Sequence, residues 1–275
     1  MLRRSWPQTV MLSLVGLVWL AGVLFPFYWL LMLSLKTQNQ AFATPPLFVF
    51  RPSLEHYVDL ALNTDFPRFF GNSVIVAVGT VALSLGLGVP AAYGFSRWKS
   101  RASGMLLAWI LILRMVPGLT YIIPFFLIYK RLDLLDTHLG LVLIYTIFNL
   151  ALVIWCMQAF FDEVPRTLEE SSYVDGATRF QAFLKIILPL AAPGLAATAV
   201  LCFLFSWNEF LFALIVTRFQ ARTAPVGITN FMAYEGVEWG RVAAGSVIIL
   251  IPVLVFAVIV RRYLVRGLLA GAVKG

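Results

Sequence analysis

Arg114 is a charged residue inside an otherwise apolar run. It lies about nine residues into the run from 104 to 129, about 14 Å deep at 1.5 Å per residue and near the middle of a bilayer. A charge at that depth is costly and marks a functional site by default. Pro117 would loosen the helix there, as in the broken helices of transporter sites. Arg114 either donates hydrogen bonds to solute hydroxyl groups in a pathway, or fixes packing through an ion pair or carbonyl contact.

A second group of polar residues lies near one end of the run from 186 to 216. Asn208 and Glu209 follow Trp207 there. Tryptophan favours the membrane–water interface, so an interfacial belt is one interpretation and an outer gate or solute contact is the other. Asn149, in the run from 138 to 161, is a weaker pathway residue and suits a hydrogen bond between helices.

The loop from 162 to 185 has the features of a docking element. Pro165 suits a first helical position, and Asp175-Gly176 is a strong turn signal. After the turn, apolar residues recur at helical spacing; they are Phe180, Phe183, Leu184 and Ile187. This pattern predicts two short helices joined by a tight turn at the membrane surface. Such a pair suits a groove on a cytoplasmic partner, although a solvated interfacial helix pair is the alternative.

Composition defines the elements that must position these residues. The chain has 275 residues, 61% hydrophobic and 12% charged, against about 45–50% and 25% in soluble domains. That excess of apolar residues indicates a lipid environment. Six apolar runs are long enough to cross a bilayer as helices; they span residues 8–35, 70–95, 104–129, 138–161, 186–216 and 242–260.

The basic residues lie in short clusters between the apolar runs, which is how membrane topology is encoded. We therefore assign the net charge of +8 to topology and not to a nucleic-acid partner. Their distribution predicts that both termini are cytoplasmic. It also predicts extracytoplasmic loops at 36–69 and 218–241, and a cytoplasmic loop at 162–185.

Residues for catalysis or metal binding are not grouped in the sequence. His56 and His138 have no cysteine or acid cluster at metal spacing, and both are expected at a surface or interface. Cys156 and Cys202 fall within apolar runs and suit core packing. A G-x-x-x-x-G-K-[ST] phosphate loop is absent from the sequence. The sequence predicts a non-enzymatic chain with no catalytic residue, no metal site and no cofactor of its own.

The loop resembles the "EAA" loop of permease subunits in binding-protein-dependent ABC importers. Ser171 and Ser172 stand where two alanines are customary, and both are small enough to preserve close packing. The positions that match the family pattern are Glu170, Asp175, Gly176, Ala177, Ile186, Leu188 and Pro189.

Further stretches resemble carbohydrate-type permeases of the maltose-system kind, in the expected order and over almost the whole length. They are residues 72–73, 92–97, 114–117 with Pro124, 206–210, 224–227 and 271–275.

The resemblance implies an all-α membrane protein, with six transmembrane helices in a type I ABC importer transmembrane domain and a cytoplasmic coupling-helix loop. It implies half of a pore for a sugar or related polyol in a bacterial or archaeal cytoplasmic membrane. The implied partners are a second permease, giving a heterodimer, two ATP-binding subunits that use ATP and Mg²⁺, and an extracytoplasmic sugar-binding protein. The outer segment 223–239 is expected to touch that binding protein.

Three other functions stay open at this stage. The chain could be an importer permease for a non-sugar solute. An ion-coupled secondary carrier would need intramembrane acids, and the runs offer little beyond Glu209. A purely structural scaffold would explain neither Arg114 nor the docking loop.

Overall fold

A computed structural model describes residues 6–233 and 236–272 of the chain, except the side chains of residues 7–10, 233 and 260–272. The described residues are mostly helical. In chain order the α-helices are α1 (Trp6–Ser34), α2 (Gln38–Ala41), α3 (Glu55–Leu62), α4 (Phe66–Arg97), α5 (Arg101–Met115), α6 (Ile122–Arg131), α7 (His138–Glu163), α8 (Arg166–Val174), α9 (Arg179–Ala182), α10 (Leu188–Leu190), α11 (Ala192–Trp207), α12 (Leu211–Val216), α13 (Ala224–Gly227) and α14 (Trp239–Ala272). Residues 1–5, which include the basic residues Arg3 and Arg4, and residues 273–275 lie outside the described part of the chain, and so do the two termini whose cytoplasmic position the sequence predicts.

Irregular helical turns and one small hairpin complete the structure. Two 3₁₀ turns cover Gly118–Tyr121 and Ile228–Phe231, and a π-helical turn covers Phe183–Ile187. Strands β1 (Met232–Ala233) and β2 (Gly236–Val237) pair antiparallel, with Met232 opposite Val237. This hairpin is the one β element in the described part of an otherwise helical chain.

Four helical segments in the described residues are long and apolar enough to span a membrane. They are Met11–Ser34, Phe66–Arg97, His138–Glu163 and Trp239–Ile259. Two bent pairs of helices complete six spans if each pair is counted once. Arg101–Met115 with Gly118–Arg131 is bent by 93°, and Arg179–Leu190 with Ala192–Trp207 by 77°.

The bends fall where proline removes a backbone donor. In the sequence, 104–129 and 186–216 are continuous apolar runs, whereas in the structure each of these runs contains a break between helices. Pro117 lies in the break between α5 and the following 3₁₀ turn. Pro193 is at the start of α11 and has no N–H for a helical hydrogen bond, and the chain turns just before it, at Ala191.

The chain forms two compact units. The first consists of the residues up to Pro67 together with Ile228–Leu250, and the second of Arg68–Gly227 with the residues from Ile251 onward. In the first unit, Arg241 pairs with Asp59 and with Glu238, the latter at 2.6 Å. His56 is buried there and hydrogen-bonded to the carbonyl oxygen of Lys36, so of the two expected positions, surface or interface, the structure excludes the surface.

Helix α7 is the centre of the second unit. Its first half contributes Leu141 and Ile144 to one buried cluster, and its second half contributes Met157 and Phe161 to another. α11 packs directly on α7 because Gly194 leaves room for the ring of Phe160. This places the middle of α7, around residues 148–149, between the two clusters.

Candidate functional site

The two helices predicted in the loop are present as α8 and α9, and we call Arg166–Ala182 the docking element. Gly176 ends α8 with φ +85°, a conformation that favours glycine. The amide of Gly176 donates to the carbonyl of Tyr173, and that of Ala177 to the carbonyl of Ser172. Thr178 then caps α9 by accepting from the amide of Gln181. The Asp-Gly pair therefore makes a defined turn between the two helices.

Most of the predicted docking residues are accessible. Glu170, Ser171, Asp175, Gly176 and Pro189 are exposed, whereas Ala177 and Leu188 are partly buried. Ser172 is buried and donates to the carbonyl of Glu169 at 2.7 Å, so it packs α8 and is not free for a partner.

The predicted apolar face of the second helix is divided between two roles. Phe183 and Ile187 are buried in the core, while Phe180 is 68% exposed. On α8, Val174 is 88% exposed. Leu184, the fourth residue of the predicted face, is also exposed. Val174 and Phe180 flank the Gly176 turn in the chain and give the docking element an apolar surface.

Glu169 holds the docking element to α4, and sequence reasoning missed it. One of its oxygens accepts from the hydroxyls of Tyr93 and Tyr173, and the other from Nε of Arg97 at 2.6 Å. Burial raises the pKa of Glu169, but the hydrogen bonds from both tyrosines and Arg97 lower it by more than burial raises it. The net pKa is therefore below its usual value. The available signal was spacing, because Tyr93 and Arg97 are four residues apart and share one helix face.

Arg114 lies beside a cavity in the middle of the second unit. Its Nη1 donates to the carbonyl oxygen of Phe148 at 3.1 Å, and its guanidinium lies 5.0 Å from the ring centre of Phe205. Within the described part of the chain, no carboxylate oxygen lies within 4.0 Å of this guanidinium. Most of its N–H donors are thus left for other groups, since arginine carries five.

Two other predicted pathway residues reach the same cavity. This cavity has a volume of about 200 Å³, and Arg114, Asn149 and Glu209 all contribute to its wall. We call it the Arg114 cavity. Asn149 also donates to the carbonyl of Tyr145 at 2.9 Å and to the hydroxyl of Ser206 at 3.2 Å, which joins α7 to α11. Glu209 accepts from the amides of Phe212 and Ala213 at the start of α12, which fixes its carboxylate.

The remaining predicted pathway residues do not line this cavity. Trp207 is 1% exposed and packs against the rings of Phe203 and Phe70, so it is a core residue and not an interfacial one. Asn208 is exposed and donates to the carbonyl of Leu204 at the end of α11. Pro117 is exposed and marks the break after α5.

Aromatic rings surround Arg114. A second cavity, of about 260 Å³, also has Arg114 in its wall, together with Tyr121, Phe125 and Phe148. The rings of Phe148 and Phe212 stack at 4.9 Å between centres. Apolar walls with a few convergent polar groups are the usual composition of a small-molecule site. The arrangement can hold a polar solute with flat apolar faces by stacking and by hydrogen bonds.

A third group, which sequence reasoning missed, lies at the other end of α7. Asp136 accepts from the backbone amides of Arg218, Phe219, Gln220 and Ala221 at 3.0–3.1 Å. Burial raises the pKa of Asp136, and these four bonds lower it more, so the net pKa lies below the ordinary value. We call this contact the Asp136 clasp.

Asn72 holds the same loop from α4. Its amide nitrogen donates to the carbonyls of Gln220 and Arg222 at 2.8 and 2.9 Å, and its amide oxygen is 2.7 Å from Nε2 of His138.

The described residues contain no group of three or more His, Cys, Asp or Glu side chains that could hold a metal ion.

Comparison with known families identifies the chain. Residues 84–269, which include the docking element and the Arg114 cavity, match the family described as "Binding-protein-dependent transport system inner membrane component". The chain belongs to this family. It is the permease subunit of an ABC transporter, a multi-pass membrane protein and a transport subunit, not an enzyme.

Relatives of this permease cover nearly its whole length. A trehalose/maltose transport system permease protein of Thermococcus litoralis is 35% identical over 269 residues, which are 96% of each chain. A trehalose transport system permease protein of Mycobacterium tuberculosis is 39% identical over 255 residues, 92% of this chain and 93% of the relative. A diacetylchitobiose uptake system permease protein of Streptomyces coelicolor is 32% identical over 274 residues, 99% of this chain and 98% of the relative.

Solved structures share the fold of the permease. A chain of a bacterial ABC transporter involved in alginate import matches with a TM-score of 0.80 and 22% identity, over 96% of this chain and 99% of that one. A chain of the MetNI methionine transporter matches with a TM-score of 0.59 and 18% identity, over 74% of this chain and 95% of the other. The predicted type I importer fold is confirmed.

Proposed function

We propose that this permease forms half of the pathway through which an ABC importer carries a sugar or related polyol. The observation that carries the proposal is the Arg114 cavity, because three polar side chains from α5, α7 and the α11–α12 junction converge among aromatic rings. Arg114 can donate to hydroxyl groups, and the amide oxygen of Asn149 and the carboxylate of Glu209 can accept from them. Relatives named for trehalose, maltose and diacetylchitobiose transport support the same solute class.

The docking element is the surface by which the permease couples to ATP hydrolysis. Its exposed acids, Glu170 and Asp175, and its exposed apolar residues, Val174 and Phe180, suit an apolar groove with basic residues at its edge. ATP and Mg²⁺ belong to two separate ATP-binding subunits in this proposal. A second permease, giving a heterodimer, completes the pore, and an extracytoplasmic binding protein delivers the solute.

The topology proposed for the permease has both termini and the docking element in the cytoplasm. The density of Lys and Arg in the segments on that side supports it. The Asp136 clasp is then extracytoplasmic, since α7 spans the membrane between the clasp and α8.

Uptake by the purified complex in proteoliposomes tests the proposed function. Labelled trehalose, maltose and methionine are supplied outside together with the binding protein, with ATP inside. Accumulation of a sugar that needs ATP and survives collapse of the ion gradients is the expected result. Accumulation of methionine alone would indicate a non-sugar solute, and uptake that follows an ion gradient without ATP would indicate a secondary carrier.

A cross-linking experiment tests the docking surface. Val174→Cys places a thiol on the exposed part of α8, and Asp133→Cys places one at the opposite end of α7 as the matched control. Cross-linking of the ATP-binding subunit at position 174 and not at 133 is expected. The reverse pattern would contradict both the docking assignment and the topology.

A further inference from the structure

We propose that Glu169 is a positioning residue that couples the docking element to α4, so that movement of the docking element moves the membrane helix. This inference rests on the proposed function, since it assigns a role within the coupling between ATP hydrolysis and solute import. It concerns a residue that lies within the permease and not on its partner-facing surface.

The docking helix α8 is connected to the chain by two joints that are not helical. Val164 and Pro165 have extended ψ values of 119° and 132°, so the helical hydrogen bonding of α7 does not continue into α8. At its other end α8 stops at the Gly176 turn, with φ +85°. A short helix between two such joints could pivot when a partner pushes it. Another contact is needed to transmit the push.

Glu169 supplies that contact in the interior of the protein. Its side chain is 7% exposed, and that of its partner Arg97 is 15% exposed. Tyr93 and Arg97, both on α4, donate to its two oxygens, and Tyr173 of α8 donates to the same oxygen as Tyr93. The carboxylate therefore joins α8 to the last turns of α4 through two charge-assisted hydrogen bonds, from Tyr93 and Arg97, which are stronger than neutral ones. The third bond, from Tyr173, holds the carboxylate in place within α8.

Arg97 extends the connection across the joint at Val164. Its Nη1 donates to the carbonyl of Phe161 at 3.0 Å, and its Nη2 to that of Val164 at 3.5 Å. In return, Arg166 of α8 donates to the carbonyl of Arg97 at 3.1 Å. The end of α4 is thus bonded to residues on both sides of the joint, which prevents independent pivoting of α8.

A buried ion pair suits this role better than apolar packing. Apolar surfaces can slide across each other at little cost, whereas separating Arg97 from Glu169 leaves two poorly solvated charges. The state in which the pair is separated is therefore strongly disfavoured, as expected for a connection that transmits a discrete movement. α4 continues from this junction to Asn72, which holds the loop near the Asp136 clasp.

The test compares Glu169→Gln with wild type in the complete reconstituted complex. Glu163→Gln is the matched control, because Glu163 is an exposed acid at the end of α7. Trehalose import, ATP hydrolysis and retention of the ATP-binding subunits are measured in the same samples. We expect Glu169→Gln to retain the subunits and hydrolyse ATP, while sugar molecules imported per ATP fall roughly five- to 150-fold, the usual range of coupling between sites.

A second pair of variants separates positioning from a general loss of structure. Tyr173→Phe removes one hydrogen bond from Glu169 and leaves the ion pair, so a smaller fall in the same ratio is expected. The charge-exchanged double variant Arg97→Glu with Glu169→Arg restores the opposite charges and should recover part of the ratio. A purely structural role would lower the amount of complex without changing import per ATP.

Two outcomes would overturn the inference. One is an unchanged import-to-ATP ratio in both Glu169→Gln and Tyr173→Phe. The other is dissociation of the ATP-binding subunits from Glu169→Gln, which would make Glu169 an assembly residue. If wild type imports neither trehalose nor maltose, import cannot be compared, yet stimulation of ATP hydrolysis by the binding protein still reports coupling. Equal stimulation in wild type and Glu169→Gln would then reject the inference alone.

Discussion

Arg114 donates a hydrogen bond of 3.1 Å from Nη1 to the backbone carbonyl oxygen of Phe148, which links α5 to α7. This contact agrees with one of the two interpretations of Arg114 from the sequence, that it fixes packing through a carbonyl contact. It occupies one of the five N–H donors of the guanidinium. The same guanidinium contributes to the walls of two cavities, so a packing contact and a solute contact are compatible at this residue.

Replacing Arg114 tests its role in the pathway. Arg114→Met keeps the length and apolar stem of the side chain but removes every donor, so we expect import to fall roughly 10- to 150-fold, the equivalent of one hydrogen bond to a charged group. Arg114→Lys keeps the charge without the planar set of donors and should be intermediate. Import by the reconstituted complex and the yield of assembled complex are measured together. Normal import by Arg114→Met would remove the residue from the pathway.

The turn of the docking element gives a second prediction. At φ +85° an alanine is strained, so Gly176→Ala should cost about 1–2 kcal/mol in local stability, and Gly176→Pro should abolish the turn. We expect lower import and weaker stimulation of ATP hydrolysis, with membrane insertion unchanged. Gly104→Ala is the control, because Gly104 is exposed on α5 and an added Cβ would meet no atom within 4 Å. Equal loss in both variants would contradict the prediction.

The elements were predictable from sequence where a local pattern determines them. Apolar length indicated the membrane helices, and Asp175-Gly176 indicated the turn because few residues tolerate its backbone conformation. The bends in the helices were harder to predict from the sequence. Pro117 suggested one of them, but the break at Ala191 depends on how Pro193 and its neighbours share the remaining hydrogen bonds.

The contacts between distant segments were not predictable. Glu169 and Glu170 are adjacent acids on one short helix, and the sequence alone does not indicate which of them faces α4. The matching donors, Tyr93 and Arg97, lie more than seventy residues earlier in the chain. Conversely, Trp207 suggested an interfacial position from its residue type, yet packing against Phe70 and Phe203 buries it.

The close approach of α11 to α7 gives a third prediction, on stability. A Cβ on Gly194 would collide with the ring of Phe160, so Gly194→Ala should destabilise the permease by about 1–3 kcal/mol through overpacking. Thermal unfolding of the detergent-solubilised complex measures the effect. Adding Phe160→Ala to Gly194→Ala should recover part of the loss, whereas Phe160→Ala alone should not stabilise the protein. Additive losses in the double variant would show that the two residues are not in contact.

The Asp136 clasp gives a fourth prediction, through hydrogen exchange. The amides of residues 218–221 donate to this carboxylate, so Asp136→Asn, which weakens the acceptors, should speed their exchange with solvent. Asp133→Asn is the matched control, since Asp133 is an exposed acid in the same turn with a similar positive φ of 53°. Unchanged exchange in Asp136→Asn, or equal acceleration in the control, would contradict the assignment.

The pH dependence of the clasp follows from the direction of the pKa shift. The folded pKa of Asp136 is below its ordinary value of 3.8, so folding favours the ionised carboxylate. Its contribution to stability is complete above the ordinary pKa and is lost as pH falls through the lower, folded value. Protection of amides 218–221, corrected for intrinsic exchange rates, should be constant from neutral pH down to about pH 5 and decrease in stronger acid. A decrease in protection between pH 7 and pH 6 would contradict the assignment to Asp136.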